Sequence, residues 1–204
     1  MVKVKICGIT NLEDALTAVN AGCDALGFMF YKKSPRYISP LKASSIIRQL
    51  PEKIIKIGVF VNSTESFIRK TAKICKLNLL QFHGDETPEF CAKFKDKRVI
   101  KAFRVKGVIG PEEILKYNAF AYLFDTYTKS GFGGSGKVFN WKFVQHPECI
   151  TRPIFLSGGL TEKNVCQAIK TFRPHWVDVS SGVEKLPGKK DQSKVRKFIK
   201  AVKK

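Results

Sequence analysis

Cys7 ends the first apolar stretch of the chain, and Gly8 follows it at once. Val2, Val4 and Ile6 alternate with Lys3, Lys5 and Cys7, so the thiol closes a short strand. A filler cysteine has no reason to prefer the carboxyl end of a strand. A reacting one does, because substrates are met there. Asp125 closes a second apolar run, Ala121-Tyr122-Leu123-Phe124. A thiolate and a carboxylic acid on two sides of one ligand make an acid/base pair. An unperturbed thiol titrates near about 8.5, so nearby positive charge would help Cys7, and Lys5 on the same side of the strand is the candidate. Taken singly, Cys7 reads equally well as a small buried residue. Asp125 reads equally well as a helix cap or a loop ion pair.

Other groups sit at comparable places. Arg36 follows Pro35 in an extended loop, where a guanidinium fork can hold a carboxylate through two hydrogen bonds. A surface arginine is the plainer reading of that residue alone. His83 ends the run Leu79-Leu80-Gln81-Phe82 and can donate to an anion, shuttle a proton, or simply bond a loop carbonyl. Gly158 and Gly159 follow one apolar run, and Ser180, Ser181 and Gly182 follow the next, which contains Asp178. Loops of this kind expose backbone N–H groups with little obstruction and suit a phosphate.

These groups need a frame that brings run ends together. Eight candidate strands are legible: 2–7, 25–30, 56–61, 79–83, 98–103, 121–125, 153–157 and 176–180. Helix-period segments lie between them. Leu12, Ala15, Leu16 and Val19 follow the i, i+3, i+4, i+7 spacing, as do Ala43, Ile46, Ile47 and Leu50. The spacing recurs in Ile68, Thr71, Ala72 and Cys75, in Val165, Ala168, Ile169 and Phe172, and in Val195, Phe198, Ile199 and Val202. Thr10-Asn11-Leu12-Glu13 fits a capping box, and Ser39-Pro40 and Thr87-Pro88 place a cap before a first-turn proline. Short helices are expected in 111–118 and near 141–144. Eight alternating units predict an α/β chain closed as a (β/α)8 TIM barrel, one domain over residues 1–204. In that fold the active site lies where strands end, and phosphate binds the loops after the seventh and eighth strands. The glycine-rich segment Lys129–Lys137 lacks P-loop spacing and reads as a flap or as filler.

Charge and cysteine content narrow the partners. The formal net charge is +20, from 37 Lys+Arg against 17 Asp+Glu. The lysines are spread along the chain with no dense block, which disfavours nucleic acid and leaves an anionic small molecule or an undedicated basic surface. The six cysteines form no C-x-x-C pair, so zinc is not expected and reduced thiols in the cytoplasm are. No apolar run reaches membrane-spanning length, and no signal peptide is evident.

Several of these segments, in this order, resemble the phosphoribosylanthranilate isomerase family of tryptophan biosynthesis. The resemblance rests on Lys5-Ile6-Cys7-Gly8-Ile9-Thr10, Gly27-Phe28, Ser34-Pro35-Arg36, Gln81 with His83-Gly84, and Asp125-Thr126. It continues through Gly133-Gly134-Ser135-Gly136, Gly158-Gly159-Leu160, Asp178-Val179-Ser180-Ser181-Gly182-Val183-Glu184 and Pro187-Gly188-Lys189-Lys190-Asp191. Phe82 and Phe124 depart from the more frequent aliphatic residues. The resemblance implies a (β/α)8 barrel without cofactor or metal that converts an aminoaldose into an aminoketose, an Amadori rearrangement. It implies Cys7 as general base, Asp125 as general acid and Arg36 on the anthranilate carboxylate. His83 and Asp178 are expected at the substrate, and Gly158, Gly159, Ser180, Ser181 and Gly182 at its phosphate. The expected partner is a small substrate carrying phosphate and carboxylate, with no nucleic acid or membrane, on a monomer or homodimer. Indole-3-glycerol-phosphate synthase shares the phosphate loops but needs lysine and glutamate at strand ends. A basic nucleic-acid binder would have no use for Cys7.

Overall fold

The computed structural model describes residues 1–126 and 140–204. Eight parallel strands close on themselves in sequence order, β1 (Lys3–Cys7), β2 (Ala25–Met29), β3 (Ile55–Phe60), β4 (Leu79–Phe82), β5 (Val99–Val105), β6 (Ala121–Thr126), β7 (Ile154–Leu156) and β8 (Trp176–Val179). Closure comes from β1 pairing with β8, where Lys3 lies opposite Trp176 and Lys5 opposite Asp178. The expected strands are all present, with ends shifted by a residue or two.

Strand alternation takes a barrel-specific meaning. Val4 and Ile6 point outward into the main core beneath the helices. Lys5 and Cys7 point inward. Deep inside, Ala25, Ile57, Leu79, Ile100, Leu123, Phe155 and Trp176 form a separate apolar plug. The Phe155 and Trp176 rings stack there at 4.8 Å between centroids. Above that plug lies a polar layer of Lys5, Gln81 and Asp178, then the mouth. The polar residues of the strand pattern therefore line the interior, not solvent.

Seven α-helices surround the barrel among the described residues: α1 (Leu12–Asn20), α2 (Pro40–Ile47), α3 (Glu65–Ile74), α4 (Pro88–Ala92), α5 (Pro111–Ile114), α6 (Val165–Phe172) and α7 (Gln192–Lys203). The residues read as apolar faces are buried in α2, α3 and α7. Two expectations for α1 need correction. Asn11, not Thr10, is the N-cap: its side chain accepts from the Asp14 N–H, while Asp14 accepts back from Asn11 Nδ2 at 2.8 Å. Thr10 is drawn off to donate its hydroxyl to the Gly188 carbonyl at 2.5 Å. Leu16 is exposed, because Ala15 and Ala18 form the contact face and place small side chains against the sheet.

The expected helix near 141–144 is a 3-10 turn, Trp141–Phe143, followed by another at Pro147–Cys149. A short antiparallel hairpin, β9 (Glu184–Leu186) with β10 (Lys189–Lys190), interrupts the chain between β8 and α7. Sequence reading placed no strands there, since each is too short to show a period. The segment Lys129–Lys137 lies outside the described residues. Among those described, no helix is long and apolar enough to cross a membrane.

Candidate active site

The carboxyl ends of the strands surround one cleft. Cys7, Arg36, His83, Asp125, Gly158, Gly159, Asp178, Ser180, Ser181 and Gly182 all line it. Every residue singled out for chemistry or binding is thus brought to one hollow, from β1, β4, β6, β8 and the intervening loops. Met29 and Val59 supply an apolar patch beside Cys7.

Cys7 occupies its place because two glycines make room. A side chain at Gly27 on β2 would put its Cβ 2.7 Å from Cys7 Sγ and 3.1 Å from Lys5 Cε. Gly8 turns the chain off the strand with φ of +78°, and a Cβ there would meet Arg36 Cδ at 2.8 Å. The glycine after the cysteine therefore lets Arg36 cross the mouth. Around the thiol the charges oppose one another. Burial pushes its pKa up, Lys5 and Lys190 pull it down, Asp178 pushes it up, and the net direction is upward.

Lys5 is fully buried, an unusual place for a lysine unless it is paired. Its ammonium donates to Asp178 Oδ1 at 3.0 Å and Gln81 Oε1 at 2.9 Å. Burial lowers its pKa, but Asp178 and the Cys7 sulfur outweigh that and leave it raised, so it stays charged. Asp178 thus sits at the cleft wall as the partner of Lys5. Two strands away, on β6, Asp125 accepts from the Thr126 N–H at 2.8 Å through Oδ1 and pairs with His83 Nε2 at 3.1 Å through Oδ2.

Arg36 is not a surface arginine. Nε and Nη2 grip both oxygens of Glu184 at 2.9 and 2.7 Å. Burial pushes the Glu184 carboxyl up, yet the bonds from Arg36 and Lys190 hold it below the usual carboxylate range. Lys190 is buried and donates to Glu184 Oε1 at 2.9 Å, to the Cys7 carbonyl at 2.5 Å and to the Ser180 carbonyl at 3.2 Å. One ammonium therefore ties the end of β1, the loop after β8 and the carboxylate that orients Arg36. The hairpin β9–β10 exists at this spot to deliver both residues. Sequence reading gave no role to Gln81, Glu184 or Lys190. Gln81 carried a signal, being two residues before His83 on one strand face. Glu184 and Lys190 lie in segments that carry the family resemblance, but the short hairpin that pairs them has no period to show it.

The loops after β7 and β8 touch. A Cβ at Gly182 would lie 1.9 Å from the Leu160 carbonyl oxygen. Ser180 Oγ is buried without a hydrogen-bond partner, at the wall of the same cleft. An unpartnered hydroxyl between two glycine-containing loops at a cleft wall is a donor arrangement that suits an anion.

Residues 4–201 match the family model of N-(5'phosphoribosyl)anthranilate (PRA) isomerase. The chain is 50% identical over 203 residues to the N-(5'-phosphoribosyl)anthranilate isomerase of Trichlorobacter lovleyi, covering 100% of this chain and 98% of that one. Its backbone is similar to the crystal structure of phosphoribosyl anthranilate isomerase from Thermotoga maritima, with a TM-score of 0.92, 48% identity, and 100% and 99% of the two chains covered. A crystal structure of phosphoribosyl anthranilate isomerase in complex with reduced 1-(o-carboxyphenylamino)-1-deoxyribulose 5-phosphate is similar at TM-score 0.87 and 45% identity, covering 100% and 99%.

Proposed function

The chain belongs to the N-(5'-phosphoribosyl)anthranilate isomerase family, and from that premise we propose which of its residues move the protons of the reaction. The activity is the isomerisation of phosphoribosylanthranilate in tryptophan biosynthesis. Asp125 gives a proton to the furanose ring oxygen. The C1′–O bond breaks, and the anilinic nitrogen supplies the electron pair for a Schiff base. The Cys7 thiolate then removes the proton from C2′, made acidic by the neighbouring imine. The resulting enolamine takes a proton at C1′ and loses one from its hydroxyl, giving the ketone. C2′ is oxidised and C1′ reduced within one molecule, so the enzyme is an intramolecular oxidoreductase.

The remaining groups hold the substrate. The phosphate sits against the N–H groups of Gly158, Gly159, Ser181 and Gly182, with Ser180 Oγ as a further donor. Arg36 takes the anthranilate carboxylate. Two of its nitrogens are occupied by Glu184, and Nη1 engages no acceptor among the described residues. Anchors at both ends of the ligand fix C2′ against Cys7. The reaction belongs in the cytoplasm, where a catalytic thiol stays reduced.

The observation that carries this reading is the shared cleft: Cys7 and Asp125, on β1 and β6, face one hollow walled by the two glycine-containing loops. Fluorescence turnover of phosphoribosylanthranilate by Cys7→Ala and Asp125→Asn tests it. Each variant should lose about 100- to 10,000-fold in kcat and keep its affinity for phosphate ligands. Retention of more than about a tenth of the activity by either variant removes that residue from its role.

A further inference from the structure

We propose that Gln81 is a positioning residue that fixes the tautomer of His83, holding the ring neutral with its proton on Nε2 and aimed at Asp125. The proposal builds on the acid role given to Asp125, but its decisive measurement does not depend on that role.

Hydrogen-bond polarity runs in one direction from Lys5 to Asp125. The lysine ammonium has donors only. Lys5 Nζ lies 2.9 Å from one end of the Gln81 amide, so that end is the oxygen. The amide nitrogen must then face the other way, 2.8 Å from His83 Nδ1. An amide NH2 donates and does not accept, so Nδ1 carries no proton. The single ring proton is left on Nε2, 3.1 Å from Asp125 Oδ2. Lys5, Gln81, His83, Asp125 and Asp178 are all buried, so each link lies within the protein wall. A charge on β1 thereby decides where a proton sits on β4.

The consequence falls on Asp125. It receives one N–H at each oxygen, from Thr126 at Oδ1 and from His83 at Oδ2. Those two donors stabilise the carboxylate left after the proton has gone to the ring oxygen. Each oxygen keeps a second lone pair, so the carboxyl can also carry its proton toward the cleft. The opposite tautomer would turn the Nε2 lone pair toward Asp125 and bind that proton. An imidazolium would favour the ionised carboxyl and leave less of it holding the proton that the ring oxygen needs. The neutral ring with its proton on Nε2 lets Asp125 both hold and release.

The test is long-range proton–nitrogen NMR of the 15N-labelled full-length protein at pH 7, with His83 assigned by His146→Gln and His175→Gln. In the wild type, His83 should show the neutral pattern with the proton on Nε2. In Gln81→Glu the new carboxylate still accepts from Lys5 but now demands a proton on Nδ1. The ring should change to the imidazolium or to the Nδ1–H tautomer, with kcat down about tenfold or more and KM within about threefold. A wild-type ring that is imidazolium or protonated on Nδ1 overturns the proposal, whatever the variant does. So does an unchanged neutral Nε2–H ring in Gln81→Glu. If the NMR is as expected while Asp125→Asn stays active, the acid role falls and the tautomer lock stands.

Discussion

Cys7 has to give up a proton before it can take one from C2′. Burial and Asp178 push its thiol up, and the pull of Lys5 and Lys190 does not fully offset them. An ordinary thiol titrates near about 8.5. The free enzyme at neutral pH therefore holds mostly thiol, and the thiolate fraction grows as pH rises. Because kcat/KM reports ionisations of the free enzyme, it should climb across pH 7 to 9 without levelling off. Lys5 stays protonated over that window, its own pKa being raised, so it does not cancel the trend. A profile already flat between pH 7 and 9 would show that another group takes the C2′ proton. Arg36, too, is more constrained than its place in a loop suggests. Sequence could say only that a loop arginine is able to fork onto a carboxylate, and the fork turns out to be held by Glu184, 148 positions away.

At the scale of elements, the mouth of the barrel is braced from outside by a further buried ion pair. Lys101 on β5 lies 2.8 Å from Glu86 Oε2 and 2.9 Å from the Gly84 carbonyl. Glu86 in turn accepts from the N–H groups of Asn62 and Gly84, so one carboxylate joins the loops after β3 and β4. Gly84 directly follows His83, so this brace supports the site. Lys101→Met leaves a buried carboxylate unpaired and should cost about 3–5 kcal/mol of unfolding free energy, read from urea midpoints. Adding Glu86→Gln should recover part of that loss, and a single-variant loss under about 1 kcal/mol would mean that the pair is not a brace. Elements with a repeating period were legible in the chain, which is why α2, α3 and α7 lie as expected. The start of α1 slipped by one residue because the Thr10 hydroxyl found a partner in the β9–β10 hairpin.

The whole molecule carries +20 of formal charge, and its proposed substrate carries a phosphate and a carboxylate. A field of that sign should raise the capture rate and be screened over about 8–10 Å at moderate salt. We expect kcat/KM to fall as ionic strength rises while kcat holds. An unchanged kcat/KM between low and high salt removes any role for the net charge in capture. The barrel itself was legible because its signals are local: eight apolar runs, helix periods between them, and polar or glycine steps at run ends. Those same steps named the residues that now line one cleft. What the linear chain could not contain was the set of partners. Lys5 meets Gln81 and Asp178, His83 meets Asp125, and Lys190 meets the carbonyl of Cys7, only because strand closure makes neighbours of distant residues. Residue type sets which protons a side chain can carry. Closure of the sheet sets which neighbour it faces, and with that the direction of each hydrogen bond and the cost of each charge.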